Sequence, residues 1–310
     1  MKHDYPSIGI EFLCRLFGKT RHAYYDTSWR NQDNLLREDI IIEHVLALRK
    51  KLPGAGTRKL HYLIGPILAV HGIHLGRDQL FDLLAEHKLL VRRRKRKVFT
   101  TDSRHWMHKY ENLITDIQVF RPEQIWVSDI TYIGMSNKWG YLSLITDAYS
   151  RKIMGYAFRE DLAAQGCIDA LQMALDNRVY SGSLIHHSDR GAQYCSKQYV
   201  ELLLRNDIAI SMTQNGDPYE NALAERVNGI IKTEFNLNNT QLGFEKTMLQ
   251  ITQSIKAYNE IRPHASCDYL TPQQTHFKTE PLKKRWKNYK KHLSKNTACI
   301  VDSGLSDIFV

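Results

Sequence analysis

The chain has 310 residues, 43% hydrophobic and 25% charged, with a formal net charge of +10 at pH 7 and a pI near 9.3. That length exceeds the roughly 100–200 residues of one domain, so two or three units are expected, with enough apolar content for a buried core. The basic balance favours a polyanionic partner, and nucleic acid over a membrane, because no basic amphipathic segment rich in bulky apolar residues stands out.

Five cysteines, at 14, 167, 195, 267 and 299, form an odd, scattered set without a CxxC pair. This pattern argues against a disulfide framework and for a reducing compartment. No signal-peptide pattern and no apolar run of 18 residues is visible, so a soluble intracellular protein is expected.

Residues 1–98 read as helical. SIGIEFLCRLFGKTRHAYYD is a short helical segment ending in paired tyrosines. Its Phe17-Gly18-Lys19-Thr20 resembles the end of a phosphate-binding loop, but the leading glycine would fall on Leu13, which excludes that motif. From Asn34 to Lys51 the apolar residues Leu35, Leu36, Ile40, Ile41, Val45 and Leu48 predict a helix, broken by Pro53-Gly54-Ala55-Gly56. Two more helices follow at about 57–70 and 77–89, separated by His71-Gly72. Such helices around a glycine-containing turn suit a helix-turn-helix-like DNA-binding region, against the plainer reading of a helical packing domain. The run Arg92-Arg93-Arg94-Lys95-Arg96-Lys97 tilts the balance, since like charges repel unless phosphates neutralise them. We read it as a DNA-tracking linker; a solvated linker or a nuclear-localisation-like stretch is the alternative. A zinc site built on His71 and His74 is not expected, because Cys14 is the only cysteine before residue 160, too few soft ligands for an HHCC arrangement.

From residue 124 the pattern changes to strands: Ile125–Ile133, Tyr141–Asp147 after the Lys138-Trp139-Gly140 turn, and Lys152–Arg159. A helix (Leu162–Leu175), a strand (Leu184–Ser188), a helix (Ser196–Arg205), a strand (Ile208–Thr213) and a last helix complete the set. The order β-β-β-α-β-α-β-α is that of the α/β ribonuclease H-like fold, a mixed sheet with helices on both faces. The last helix has a marked start, with Asp217 as N-cap, Pro218 at the first position and Glu220 in the capping-box place. Leu223, Val227, Ile230 and Ile231 form its apolar stripe; Asn221, Glu225, Asn228 and Lys232 form a polar one.

Three carboxylates stand out. Asp129 lies inside an apolar strand, where aspartate is disfavoured; Asp189 ends the fourth strand before Arg190-Gly191; Glu225 lies on the polar helical stripe. Each alone has a bland reading, as strand, turn or helix-surface residue. Together, on two strands and a helix of one sheet, they can converge as hard oxygen ligands for Mg²⁺ in phosphodiester chemistry. Glu220 is the rival acid, but it sits about 140° round the helix from Glu225 and its capping role explains it better. His186 and His187 could in principle bind metal, but read better as strand residues.

WVSDITYI, LITDAYSRKIMGY, HHSDRGAQY, NGDPYENALAERVNGIIKTE and YNEIRPHASCDYLTP resemble the OrfB-type transposases of the IS-three group of bacterial insertion sequences, relatives of retroviral integrases in the DDE superfamily. The resemblance covers about 10–280 and is strongest over 124–272. It implies that Asp129, Asp189 and Glu225 are the catalytic, metal-binding triad, holding two Mg²⁺ ions for which Mn²⁺ can substitute. It implies that Lys232 contacts the terminal DNA, and that GTRKLHYLIG and GRDQLFDLLAEHKLL form the family's helix-turn-helix segment. Asn221, Asn228, Arg190 and Arg92 to Lys97 are further candidate DNA contacts. Asp217 and Glu220 depart from the family's usual Asn and Asp, away from the triad. The expected domains are 1–98 with the basic linker at 92–97, a catalytic domain over 120–280, and a basic tail over 281–310. After a helix at about 244–260, Arg262-Pro263-His264 and Thr271-Pro272 read as a helix end and a loop packed on the core. The tail alternates cations with aromatics (Lys283, Lys284, Arg285, Trp286, Lys287, Tyr289), which suits backbone contact plus base stacking, or a flexible charged end.

The function expected from the resemblance is metal-dependent strand cleavage and strand transfer by a DNA transposase, through a circular donor intermediate. Double-stranded DNA, further copies of the chain and an upstream-frame OrfA product or fusion are the implied partners, in the bacterial cytoplasm at the nucleoid. A ribonuclease H-like nuclease, a domesticated non-catalytic DNA-binding protein and an interaction-only protein are the competing readings. The basic N-terminal module speaks against the first, the retained acids against the second, and the polar stripe against the third.

Overall fold

The computed structural model describes residues 6–91, 106–115, 117–136, 138–214, 221–238, 240–278 and 282. The basic run Arg92 to Lys97, the caps assigned to Asp217, Pro218 and Glu220, and the tail from Lys283 onward lie outside the described residues.

Strands β1 (Ile125–Gly134), β2 (Trp139–Asp147) and β3 (Ile153–Arg159) form an antiparallel meander. Strands β4 (Leu184–Ser188) and β5 (Ile208–Met212) add in parallel on the other edge of β1, giving the order β3-β2-β1-β4-β5. The meander needs only tight turns, whereas each parallel addition needs a crossover, supplied by helices α5 (Ala164–Asp176) and α6 (Lys197–Arg205). These two helices cover one face, where Trp126, Ile145 and Met154 meet Ala170, Leu171 and Leu203. Helices α7 (Ala222–Glu234) and α8 (Phe244–Glu260) cover the other, burying Val227, Ile231, Ile251 and Ile255 beside Leu142, Leu144 and Ile153. This is the ribonuclease H-like sheet expected from the element order. Coverage on both faces explains why β1 and β2 read as nearly continuous apolar runs.

Ahead of the sheet stand α1 (Ile10–Leu16), α2 (Arg21–Lys51), α3 (Thr57–Val70) and α4 (Arg77–Glu86). The helix expected from Asn34 begins instead at Arg21, so the paired tyrosines Tyr24 and Tyr25 are inside it. Thr20 caps it by accepting a hydrogen bond from Ala23 N at 3.1 Å, and no glycine or proline interrupts it before Pro53. The polar run between the two apolar patches lacks helical periodicity but offers nothing that stops a helix. Val45, Leu60, Ile64, Leu68, Leu80 and Leu84 of α2–α4 belong to one buried cluster with Val227, Ile231 and Tyr258. The N-terminal helices therefore pack on the α7–α8 layer through a shared core.

Past α8, the short helix α9 (Pro272–His276) is held by a polar knot in which Glu123, Asp147, Ser150 and His276 are all fully buried. His276 Nε2 lies 3.1 Å from Glu123 Oε1, its Nδ1 lies 3.1 Å from Ser150 Oγ, and Ser150 Oγ donates to Asp147 Oδ1 at 2.6 Å. Burial would raise Glu123, but His276 and the N–H groups of Val179 and Tyr180 hold it below the ordinary carboxylate range. The loop after α8 thus packs on the core, as read from Thr271-Pro272. Among the described residues no helix is long and apolar enough to cross a membrane.

Candidate active site

The parallel pairing of β1 with β4 sets two acids side by side. Val127 pairs with His187, so the same offset of 60 carries Asp129 to Asp189, one residue beyond the end of β4. Equal parity puts both on one face of neighbouring strands, about 4.8 Å apart, with Asp129 in the middle of the longer β1. Asp189 Oδ1 accepts a hydrogen bond from Gly191 N at 3.0 Å. A Cβ on Gly191 would stand 3.0 Å from that same oxygen, so the residue allows the close turn that orients the acid. Asp129 and Asp189 line a pocket of about 20 Å³ with Ile130, Tyr132, Leu162, Gly191, Gln193 and Tyr194.

Helix α7 brings the third acid. Glu225 is exposed in its first turn, while Val227, Ile230 and Ile231 anchor the helix on the sheet. Two amides fix its position: Asn221 Nδ2 donates to Ser128 O at 3.0 Å, and Asn228 Nδ2 donates to Asp129 Oδ2 at 2.8 Å. Both asparagines are buried, at 6% and 4% exposure. Expected from the sequence as DNA contacts, they instead lie on a part of the polar stripe turned inward, where an amide can satisfy a strand carbonyl and a carboxylate. That inward role is what residue spacing did not reveal, although Asn228 was flagged by its place one turn after Glu225.

The electrostatics follow from this crowding. Burial pushes the Asp129 carboxyl up, the Asp189 charge pushes further, and Glu225 adds a smaller push. The N–H groups of Asn228 and Ile130 act against the rise, and the balance leaves Asp129 at about 7. Lys232, partly buried two turns after Glu225, is lowered by burial and drawn back up by the charge of Asp129. Arg190 is partly buried beside Asp189. The three acids share one electrostatic neighbourhood, but among the described residues no three of them close to metal-coordinating distance.

Other candidates separate from this site. His186 and His187 are buried, contacting Tyr199 Oη at 2.8 Å and Ser211 Oγ at 2.8 Å respectively, and burial holds His186 down at about 3. Cys167 is buried with its thiol pushed up to about 12, which leaves it no thiolate at neutral pH. A larger cavity of about 410 Å³ lies between Lys50, Lys51, Phe235, Gln250 and Lys256, and none of the three acids lines it.

Comparison with known proteins bears on the family of the chain. Two models described as "Integrase core domain" match residues 120–218 and 206–272. An "Insertion element IS600 uncharacterized 31 kDa protein" of Shigella sonnei is 31% identical over 275 residues, covering 84% of this chain and 96% of that protein. "Transposase InsF for insertion sequence IS3A" of Escherichia coli K12 is 35% identical over 172 residues, covering 55% of this chain and 60% of that protein. Solved structures that align with the chain include the HTLV-2 integrase catalytic core domain in complex with magnesium, at 21% identity, covering 50% of this chain and 97% of that one, with a TM-score of 0.41. A simian T-cell lymphotropic virus intasome chain aligns at 20% identity, covering 74% of this chain and 78% of that one, with a TM-score of 0.46. On its match to the IS600 protein over 84% of this chain and 96% of that one, together with the integrase core and the likeness to the IS3 transposase, the chain belongs to the DNA transposases of the IS3 group of insertion sequences.

Proposed function

We propose that this transposase cleaves and joins DNA at Asp129, Asp189 and Glu225, with divalent metal ions, Mg²⁺ or in its place Mn²⁺, held between the three acids. The observation that carries the reading is the placement of partly buried Asp129 beside Asp189 on neighbouring strands under α7, tied to that helix by Asn228, where burial first and the Asp189 charge second lift Asp129 to about 7. Hard oxygen donors gathered from two neighbouring strands and the helix over them, with too little local positive charge, are the donor set that suits a hard divalent cation. When bound, such ions activate the attacking oxygen and stabilise the leaving oxygen of an in-line displacement at phosphorus.

The chain's own residues hold this apparatus in place. Asn228 and Ile130 N–H each bind one oxygen of Asp129, at 2.8 and 2.9 Å, and so fix the plane of the carboxylate that faces both other acids. Gly191 N–H orients Asp189. Lys232 supplies a cation for a DNA phosphate next to the reacting one. In the first step water attacks a phosphodiester and releases a 3′-OH. In the second that 3′-OH attacks another phosphodiester, and one such bond replaces another. No covalent protein–DNA intermediate and no nucleotide cofactor is required.

The helical region 1–98 with its linker Arg92 to Lys97 is proposed to hold the element ends, the domain over 120–280 to carry the chemistry, and the tail 281–310 to follow the backbone. Arg190 serves as a further phosphate contact. Several copies assemble on paired ends, and an OrfA product or fusion supplies further end recognition. The test is Glu225→Gln: Mg²⁺-dependent strand transfer is abolished while duplex binding persists. A variant that still joins ends refutes the assignment.

A further inference from the structure

Helix α7 is a single rod of 13 residues, about 20 Å long, with Glu225 in its first turn and Lys232 in its last. Where its far end sits therefore decides where its acid sits. That far end is Glu234, and residues from two other parts of the chain meet on it. Gly54, in the elbow between α2 and α3, donates its N–H to Glu234 O at 2.7 Å. A Cβ on Gly54 would come within 2.7 Å of Glu234 Cα, so the elbow presses directly on the helix backbone. Lys59 Nζ, in the first turn of α3, lies 2.7 Å from Glu234 Oε1. Arg262, just after α8, donates from Nε to Oε2 and from Nη2 to Oε1, both at 2.8 Å.

The cluster is largely removed from water, at 22% side-chain exposure for Lys59, 21% for Glu234 and 5% for Arg262. Burial lowers Lys59 and the Arg262 charge lowers it further, while Glu234 holds it up; Arg226, next to Glu225, also bears on it. Two cations share one carboxylate unequally. Arg262 forms a two-pronged pair that belongs to the catalytic layer itself, whereas Lys59 has a single prong and comes from the N-terminal helices. A stack of Tyr62 on Tyr269, with ring centres 5.2 Å apart, gives α3 a second hold on the same layer.

We infer that Glu234 and Lys59 are positioning residues: their contact couples the placement of the N-terminal helices to the placement of α7, and so of Glu225 and Lys232 over Asp129. DNA engaged by the N-terminal helices is thereby felt at the acid. The inference rests on the transposase chemistry proposed above, and adds that Lys59, though inside the segment resembling a DNA reader, works through the catalytic helix.

The experiment is end-cleavage kinetics of the full chain with a duplex carrying one element end and Mg²⁺. Lys59→Met leaves the Arg262–Glu234 pair intact, and its kcat at saturating DNA is expected to fall about tenfold while KM for DNA changes less than about twofold. Lys59→Arg restores most of the loss. Glu234→Gln, which keeps the side-chain shape, lowers kcat in the same direction. Cleavage by the wild type tests the transposase reading by itself; with that in hand, an unchanged kcat in Lys59→Met overturns the coupling alone. A raised KM at constant kcat also overturns it, since Lys59 would then be a DNA contact. So does a loss of kcat that only matches the fraction unfolded in a parallel melt.

Discussion

Replacing Asp129 with asparagine is expected to stabilise the metal-free protein while abolishing its chemistry. Asp129 stands at about 7 in the folded chain against an ordinary 3.8. At ~1.36 kcal/mol per pKa unit, holding it ionised costs about 4 kcal/mol. The residue keeps some contact with solvent, so screening reduces the usable figure to roughly 2 kcal/mol. An asparagine has only one acceptor for the two N–H groups that now bind the carboxylate, which offsets about 1 kcal/mol. Rotating the Asn228 amide recovers part of this, because its Oδ1 is buried without a partner among the described residues and can accept from the new amide. The sign follows from the raised pKa. The folded state favours the protonated acid, so its contribution to stability is present below pH ~4 and lost as pH rises through ~7. Asp129→Asn should therefore melt higher than the wild type at pH 8, by roughly 2–4 °C per kcal/mol gained, and equal to it at pH 4. Thermal melts in chelator across that range make the measurement. A variant no more stable than the wild type at pH 8 refutes the crowding of the three acids.

Saturating Mg²⁺ should raise the wild-type melting midpoint at pH 7.5 and leave that of Asp129→Asn nearly unmoved, because only the former has the charge to bind the ion. Equal shifts in the two proteins would place the ion elsewhere. Asn228→Ala takes away a donor to Asp129 and a tie between α7 and β1, so kcat should drop by more than about tenfold with duplex affinity held within about twofold. A matching loss of affinity in gel-shift titrations would return Asn228 to the DNA-contact class. His276→Ala leaves the buried Glu123 and Asp147 without the imidazole between them, and urea melts should show a loss of about 3–5 kcal/mol. A loss below about 1 kcal/mol would mean that water replaces the ring.

How much of this was legible in the residues depends on the range of the interactions involved. The element order of the sheet region and its two-faced burial could be read locally, and so could the three acids proposed as the site. Apolar runs mark covered strands, an aspartate inside one is out of place, and a polar stripe on a helix repeats at short spacing. The resemblance to insertion-sequence transposases rested on the same segments. The long α2 was misjudged in its first half because helix stops are signalled by glycine and proline, while continuation through a polar stretch carries no signal of its own.

What only the tertiary structure decided lies between elements far apart in the chain. The register of β1 against β4, which sets Asp129 beside Asp189, is a property of two strands paired over 60 positions. The direction in which the α7 stripe faces comes from its packing on β1, and that packing turned Asn221 and Asn228 from surface amides into buried donors. The rise of Asp129 to about 7 exists only once three acids and a low-dielectric surround share one place. The hold of Lys59 and Arg262 on Glu234 likewise joins positions 175 and 28 residues apart. Local periodicity determines which side chains can do chemistry; which of them meet is set by strand pairing and helix packing, whose partners no local pattern names.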